Sequence, residues 1–183
     1  MRGAIPAVVV LALLAGTGEA CHRGGETIHT TTSMTLNGSK LELPDRAGPV
    51  EFDSGSAYII QGSDSFHIRI EIANNEDQRE RGLMFRTSMP DTSGMLFIYP
   101  SPQQGSFWML DTPLPLSIAF ADSTGAIFNI LDMEPCVKEM SWECPTYDSG
   151  GRFQYALEMK KGYFDERGIK AGAKIVASAM SGG

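Results

Sequence analysis

The sequence predicts a mainly β domain, a compact antiparallel sandwich or barrel with one or two short surface helices. Short apolar runs recur along residues 48–180, separated by turns that contain Gly and Pro. Their spacing of about 8–12 residues is typical of sandwiches and barrels. Two of the runs, Phe66–Ile72 and Phe153–Met159, alternate apolar and polar residues, which is the period of a half-exposed strand. The sequence has no internal repeat, no Gly-rich phosphate loop and no alternation of strands with long helices.

Residues 1–20 have the features of a secretory signal and precede the domain. Arg2 gives a positive start, and the apolar run 4–15 follows it. This run is shorter than the roughly 20 residues that a membrane-spanning helix needs. Gly18 and Ala20 are the small residues that signal peptidase prefers before its cleavage site. We therefore expect an extracytoplasmic protein, located in the periplasm or cell envelope.

Cys21 directly follows the expected cleavage site. The residues before it resemble a bacterial lipoprotein signal, in which the mature N-terminal Cys is lipid-modified, although Gly18 and Glu19 depart from the usual pattern. We expect lipid on Cys21; the alternative is ordinary cleavage that leaves a free or oxidised thiol. Residues 21–47 are mostly polar and lack the apolar surface needed to offset chain entropy, so they predict a flexible tether. Membrane contact is expected only through the lipid on Cys21.

The first strands of the domain are expected between Val50 and Ile60, broken at the sequence Ser54-Gly55-Ser56. The next strand is the clearest in the chain, with its apolar residues at every second position from Phe66 to Ile72. This alternation places His67 on the solvent side. Further strands are expected at Met95–Tyr99, Ser106–Leu110, Leu116–Ala121, Ala126–Met133, Phe153–Met159 and Lys174–Ala179.

A short surface helix is expected to begin near Asn75 and to end before Gly82. Asn75 is a good N-cap, and Gln78 stands at the capping-box position. Acidic residues in the first turn and arginines in the last turn complement the helix dipole. Gly82 is suited to the C-terminal position because it adopts positive φ without penalty. We expect the helix to deliver Leu83-Met84-Phe85 into the core.

The charge balance excludes one class of partner. The formal net charge is −7 and the pI is near 4.9, with no cluster of Lys and Arg. Proteins that bind nucleic acid neutralise phosphates with cationic side chains. We therefore expect no nucleic-acid partner.

Several motifs occur together in one order along the chain. They are Ile68-x-Ile70-Glu71-Ile72-Ala73, 79–86, 94–97, 107–109, 115–120, Pro135-Cys136, 144–147, 149–151, and Leu157-Glu158 followed by 168–170. In this order they resemble the family named domain of unknown function 192, over about residues 66–176. The resemblance implies a compact jelly-roll-like β fold, often behind a signal peptide, and it implies no activity.

Three residues, at two places in the motif, depart from the pattern of that family. Leu110-Asp111 stands where Lys-Asn is common, and Ser117 stands where Asp is common. A cation and a carboxylate are therefore missing from the polar part of the motif, which puts in doubt any chemistry that needs them.

The candidate ligand-binding residues are the polar or amphipathic groups of the densest motifs: Arg81, Arg86, Trp108 and Asp111. Their functional interpretation is a shallow pocket in which Arg holds an anionic or carbonyl group and Trp108 offers an aromatic face. The structural alternative is that both arginines tie down loops through carbonyl groups and a carboxylate such as Asp111.

We assign no catalytic residue, cofactor or metal. A Ser-His-Asp triad is not supported, because residues 48–180 contain only His67. A methionine site for copper is a weaker alternative to core packing for six residues: Met84, Met89, Met95, Met109, Met133 and Met140. A zinc site from Cys136, Cys144 and His67 is weaker still, since no C-x-x-C pair supports it.

Cys136 and Cys144 are expected to form the protein's only disulfide. Cys21 is accounted for by the cleavage site, and the other two of the three cysteines lie eight positions apart in an exported chain. The alternative is two free thiols. The leading function is non-enzymatic binding of a small molecule, glycan or envelope protein partner, and the alternative is an extracytoplasmic hydrolase or transferase.

Overall fold

The computed structural model describes residues 33–36, 39–42, 49–138 and 141–180. The chain divides into two units, 1–43 and 44–183. In the first unit, strands β1 (Ser33–Leu36) and β2 (Ser39–Glu42) form an antiparallel hairpin. No strand is expected from the composition of this part of the chain, which predicts a flexible tether. The sequence between the two strands is Asn37-Gly38, a strong hairpin signal. Residues 1–20 and Cys21 lie outside the described residues.

The second unit is built on a seven-stranded sheet with the order β11-β3-β4-β5-β10-β7-β8. Its strands are β3 (Asp53–Gln61), β4 (Asp64–Ala73), β5 (Ser93–Gln103), β7 (Leu116–Ala121), β8 (Ile127–Met133), β10 (Phe153–Lys160) and β11 (Lys174–Ala177). A small two-stranded sheet pairs β6 (Ser106–Trp108) with β9 (Thr146–Asp148). The helices α1 (Glu76–Arg81) and α2 (Tyr163–Glu166) are short, and 3-10 turns occupy 141–143 and 178–180.

The mainly β fold and the short helices are confirmed, and the large sheet is antiparallel as expected except at one pair of strands. β4 and β5 pair in parallel, while every other pair of the seven-stranded sheet is antiparallel. The connection between β4 and β5 contains α1 and is long enough to return the chain to the same end, as parallel pairing requires.

The sheet is strongly curled without being closed into a barrel. The starts of its two outer strands, β8 and β11, are joined by hydrogen bonds: Ile127 N donates to Ala173 O at 2.8 Å, and Ile175 N donates to Gly125 O at 2.9 Å. This curl gives the sheet an inside, filled by one apolar cluster, and an outside, part of which is covered by loops.

The two faces carry separate cores. The inner cluster includes Ile59, Ile68, Leu157 and Ile175. The outer cluster includes Leu83, Phe97 and Phe120. Five strands contribute residues to both clusters: β4, β5, β7, β8 and β10. β7 is therefore buried at all of its positions, and β10 is buried on both faces. The prediction that β10 is half-exposed is wrong, because it assumed a sheet covered on one face only.

Two local predictions are also corrected by the structure. β3 continues through Ser54-Gly55-Ser56, where a break was expected, since all three residues pair with β4 in regular register. Leu83 and Met84 enter the core as expected, but Phe85 stays 43% exposed. The backbone at Phe85 has a φ of +64°, so the chain turns there and is not extended. The side chain therefore does not follow Leu83 and Met84 into the core.

Candidate functional site

The candidate site begins with the capping of α1. The Asn75 side chain accepts from the Gln78 N–H at 3.0 Å, and the Gln78 side chain accepts from the Asn75 N–H, so the expected capping box is confirmed. Gln78 is buried and also donates to Glu51 O at 2.8 Å. These bonds fix the start of the helix and tie it to the segment just before β3. Its last turn presents Arg79 and Arg81 at the cleft.

A small cleft of about 90 Å³ opens at this last turn. It is bounded by α1 and the residues after it, by β5, by β6 and by the floor of β10; its lining includes Arg79, Glu80, Arg81, Leu83, Phe97, Tyr99, Ser106, Trp108, Thr112 and Glu158. A cleft that encloses a whole drug-sized ligand measures about 300–1,000 Å³. This one therefore has room for a single polar group of a ligand whose body rests outside.

Glu158 forms the floor of the cleft and is 4% exposed. It faces outward from β10 between two apolar neighbours, Met95 on β5 and Ile118 on β7, which are directly opposite it in the two ladders and are fully buried. No described residue donates a hydrogen bond to its carboxyl group. Burial without such a donor penalises the charged form, and it raises the pKa of Glu158 to about 8. Near neutral pH the carboxyl group is therefore mostly protonated.

Arg79 and Tyr99 close one side of the cleft. The Arg79 guanidinium donates to Ile98 O at 3.1 Å and lies 4.9 Å from the centre of the Tyr99 ring. Burial raises the pKa of the Tyr99 hydroxyl group, against a smaller lowering by Arg79. Arg79 is thus committed to the protein, and Tyr99 stays a neutral hydroxyl group.

Arg81 and Trp108 form the open rim. The Arg81 guanidinium lies 5.4 Å from the centre of the Phe85 ring, and no carboxylate of the described residues is paired with it. Trp108 is 40% exposed and Phe85 is 43% exposed. Behind Trp108, the neighbouring Phe107 packs edge-on against Phe97 at 5.0 Å and so anchors β6 to the core. The rim therefore combines one available cation with two exposed aromatic rings.

The turn at 110–112 supports the rim from below. Phe85 N donates to Asp111 O at 2.7 Å, and Phe85 and Asp111 are the two non-glycine residues of the described chain with positive φ. Such conformations cost on the order of 1–3 kcal/mol each and are concentrated at functional sites. Thr112 O accepts from Cys136 N at 3.2 Å. This links the turn to the disulfide between Cys136 and Cys144, which the structure contains as expected.

The four residues predicted from sequence do not form one site. Arg81 and Trp108 line the same cleft, and Asp111 lies in the supporting turn, where its carbonyl group is bonded to Phe85. Arg86 lies elsewhere: it pairs with Glu71 at 2.7 Å and lines a separate cavity of about 250 Å³. Arg86 therefore has the structural role that was the alternative to ligand binding: it ties down its loop through a carboxylate. That carboxylate is Glu71 and not Asp111.

Sequence reasoning missed Glu158, which is the most unusual group of the cleft. The alternation of β10 assigned it to a solvated face, together with Gln154 and Ala156. One signal could have found it: Ala156 on the same face is apolar, and the opposing strand sequence Leu116–Ala121 is apolar at nearly every position, as in strands covered on both faces.

The metal alternatives gain no support from the geometry. Four of the methionines are at most 8% exposed and belong to the outer core: Met84, Met95, Met109 and Met133. Both domain cysteines are in the disulfide, so they supply no thiolate for zinc, and His67 packs at a tilt against Tyr58 with ring centres 5.0 Å apart. Among the described residues, no group of three His, Cys, Asp or Glu side chains is placed to hold a metal ion.

The fold and the cleft define a curled, mainly antiparallel β domain with a buried carboxyl group below an arginine and a tryptophan. The family model of domain of unknown function 192, described as "Uncharacterized ACR", matches residues 58–177. The chain belongs to this family. No curated protein matches the chain in sequence.

Two solved structures share the fold. A protein of Sinorhizobium meliloti 1021, described as a candidate transcription regulator, is 28% identical with a TM-score of 0.64, and the match covers 72% of this chain and 98% of the other. A protein of unknown function from Novosphingobium aromaticivorans DSM 12444 is 24% identical with a TM-score of 0.60, covering 84% and 99%. The second likeness concerns the fold alone.

Proposed function

We propose that this protein is a non-enzymatic binding domain of the cell envelope, and that its cleft binds a saccharide. The observation that carries the proposal is the buried Glu158 carboxyl group below the exposed ring of Trp108. A sugar offers an apolar ring face for an aromatic side chain and polar substituents for a few convergent hydrogen-bonding groups.

The shape of the cleft favours a saccharide over a compact apolar ligand. Its volume of about 90 Å³ admits one substituent, while Trp108 and Phe85 provide surface on which a ring can rest. The groups next to that substituent are polar: the Glu158 carboxyl group, the Tyr99 hydroxyl group and the Arg81 guanidinium. A protein partner that inserts a side chain into the same cleft is the competing outcome of the test below.

The extracytoplasmic location is part of the proposal. The disulfide between Cys136 and Cys144 supports it, because disulfides persist in oxidising compartments and are rare in the cytosol. Within the described residues, no helix is both long and apolar enough to cross a membrane.

Lipid on Cys21 is the expected means of membrane attachment. We expect the mature protein to carry acyl mass on its N-terminal Cys21 and to partition into detergent. Intact-mass spectrometry of protein made in its own host is the measurement, with Cys21→Ser as the control. A detergent-insensitive protein of unmodified mass would show that cleavage leaves Cys21 without lipid.

The binding proposal is tested by NMR or fluorescence titration with a panel of neutral and acidic mono- and oligosaccharides. We expect at least one saccharide to bind, and we expect Trp108→Ala to weaken its binding by about tenfold or more, as for an aromatic hot spot. Trp142→Ala is the matched control, because Trp142 is 79% exposed and is not part of the cleft lining. If no saccharide of the panel binds, and an envelope protein binds the wild type but not Trp108→Ala, the domain is a protein-binding module.

An enzymatic function is the second candidate, because a buried acid with a raised pKa is typical of groups that donate a proton in catalysis. Activity toward chromogenic glycosides or esters that is abolished in Glu158→Gln would establish it. Equal background rates in the wild type and the variant would exclude Glu158 as a proton donor for those substrates.

A further inference from the structure

The charges around the cleft are unequal. Arg79 and Arg81 contribute two positive charges, Glu80 contributes one negative charge, and Glu158 at the floor is mostly neutral near pH 7. The protein as a whole has a net charge of −7, so a locally positive cleft differs from its surroundings. A small site with this balance favours an anionic group.

Two groups of the cleft, Arg81 and Glu158, have complementary chemistry toward a carboxylate. The Arg81 guanidinium presents a planar fork of donors, which matches the two oxygens of a carboxylate. A protonated Glu158 has one O–H that can be donated to a carboxylate oxygen. Arg79 is less available than Arg81, because its guanidinium already donates to Ile98 O and lies against the Tyr99 ring.

We propose that the saccharide bound by the cleft is acidic, a uronic acid residue whose carboxylate enters the cleft between Arg81 and Glu158 while its ring rests on Trp108. This inference rests on the proposed saccharide-binding function and adds the substrate class and the group recognised. A neutral sugar would leave the fork of Arg81 without an anion in a cleft that has room for only one substituent.

The affinity for a uronate should depend on pH, and the protonation of Glu158 sets the direction of that dependence. The ionisable groups that face Glu158 are Arg79, Glu80 and Arg81 of α1 and Tyr99 of β5, while its neighbours Met95 and Ile118 carry no charge. Glu158 must be protonated to donate to a ligand carboxylate, so uronate binding weakens as pH rises through about 8. At about pH 9 roughly one tenth of Glu158 keeps its proton, which predicts a loss of about tenfold in affinity. A neutral sugar that used Glu158 as an acceptor would show the opposite trend.

The experiment compares methyl galacturonide with methyl galactoside. The two ligands have the same ring, but the galacturonide carries a carboxylate where the galactoside carries a hydroxymethyl group. Binding to the full mature protein is measured by NMR titration at about pH 6.5 and about pH 9 at constant ionic strength. At about pH 6.5 we expect the galacturonide to bind at least about tenfold more tightly than the galactoside. Between about pH 6.5 and about pH 9 we expect the affinity for the galacturonide to fall about tenfold.

Two variants measure the contributions of Arg81 and Glu158 to binding, and a third is the control. Arg81→Gln should remove the preference for the galacturonide. Glu158→Gln, which keeps an N–H donor that does not titrate, should retain binding at the lower pH and lose the pH dependence. Lys170→Gln removes a cation from an exposed position outside the cleft and is the matched control.

The outcomes separate this inference from the proposed function. Equal affinity for the two ligands, with both lost in Trp108→Ala, overturns the acidic-sugar inference and leaves saccharide binding standing. A galacturonide preference that survives Arg81→Gln, or a pH dependence that survives Glu158→Gln, overturns the assigned contacts. If neither these ligands nor longer oligosaccharides bind, both proposals fail.

Discussion

At the residue scale, Glu158 couples folding to pH. Its pKa is about 8 in the folded protein and 4.5 is its ordinary value. Between these values the unfolded chain has lost the proton that the folded protein keeps, so the free energy of unfolding falls as pH rises. The slope is about 1.4 kcal/mol per pH unit for one full proton, and the decline ends once pH passes the folded pKa.

We therefore expect Glu158→Gln to flatten the decline in stability between about pH 5 and pH 8, as measured by urea denaturation over that range. Relative to the wild type, the free energy of unfolding of the variant should be highest at the alkaline end of this range. Equal slopes in the two proteins would mean that the carboxyl group is ionised inside the fold. Glu166→Gln, at an exposed position on α2, controls for the loss of one acidic residue.

Phe85 illustrates local strain beside the cleft, because its φ of +64° is unfavourable for any residue with a Cβ. Comparing Phe85→Gly with Phe85→Ala removes the ring in both cases and isolates the backbone effect. We expect the Gly variant to be more stable by up to about 1 kcal/mol, since relief of the strain outweighs the greater entropy that Gly has in the unfolded chain.

Thermal denaturation measures this difference, and the same pair of substitutions at Ser65 is the control. Ser65 lies exposed in β4 with ordinary strand backbone, so there the Ala variant should be the more stable. A higher stability of Phe85→Ala than of Phe85→Gly would contradict the strain assigned to this turn.

At the scale of the element, α1 is too short to be stable by itself and depends on its cap and on Gln78. Asn75→Ala removes the acceptor for the Gln78 N–H and is expected to cost about 1 kcal/mol. That loss corresponds to a fall of roughly 3–6 °C in Tm for a domain of this size. Because α1 carries Arg79 and Arg81, the same substitution should weaken ligand binding without changing a cleft residue.

Asn75→Asp is the matched control for the cap, since Asp caps a helix about as well as Asn. It should retain most of the stability and of the binding. Equal losses in Asn75→Ala and Asn75→Asp would show that the amide group acts by another contact.

At the scale of the whole molecule, the Cys136–Cys144 disulfide closes a short loop next to the turn that supports the cleft. With the cysteines eight positions apart, the chain-entropy model gives about 2.5 kcal/mol of stabilisation. We expect the Cys136→Ser/Cys144→Ser variant to lose about that much in chemical denaturation. It should also bind ligand more weakly. Cys136 N donates to Thr112 O in the turn that supports the cleft, and loss of the disulfide loosens the loop that positions this donor.

Thiol counting on unfolded, unreduced protein gives an independent measurement. We expect neither cysteine to be alkylated before reduction and both to be alkylated after it. Alkylation of both without reductant would mean that the protein as purified carries two free thiols.

The sequence alone determined the features that depend on neighbouring residues. The capping box of Asn75 and Gln78, the turn at Gly82 and the alternation of β4 follow from local hydrogen bonding and side-chain period, and all are confirmed. The Cys136–Cys144 pair followed from the cysteine count and the expected compartment. The family followed from the order of its motifs.

Only the tertiary structure decided which strands are covered on both faces and which distant residues meet. The pairing of β4 with β5 is parallel, and β10 lies in the middle of the sheet, so Glu158 is buried where its local alternation indicates solvent. Likewise Arg81 and Arg86, five positions apart, face different cavities. Burial, and with it the protonation of Glu158, depends on contacts between segments far apart in sequence, and the period of one strand contains no information about them.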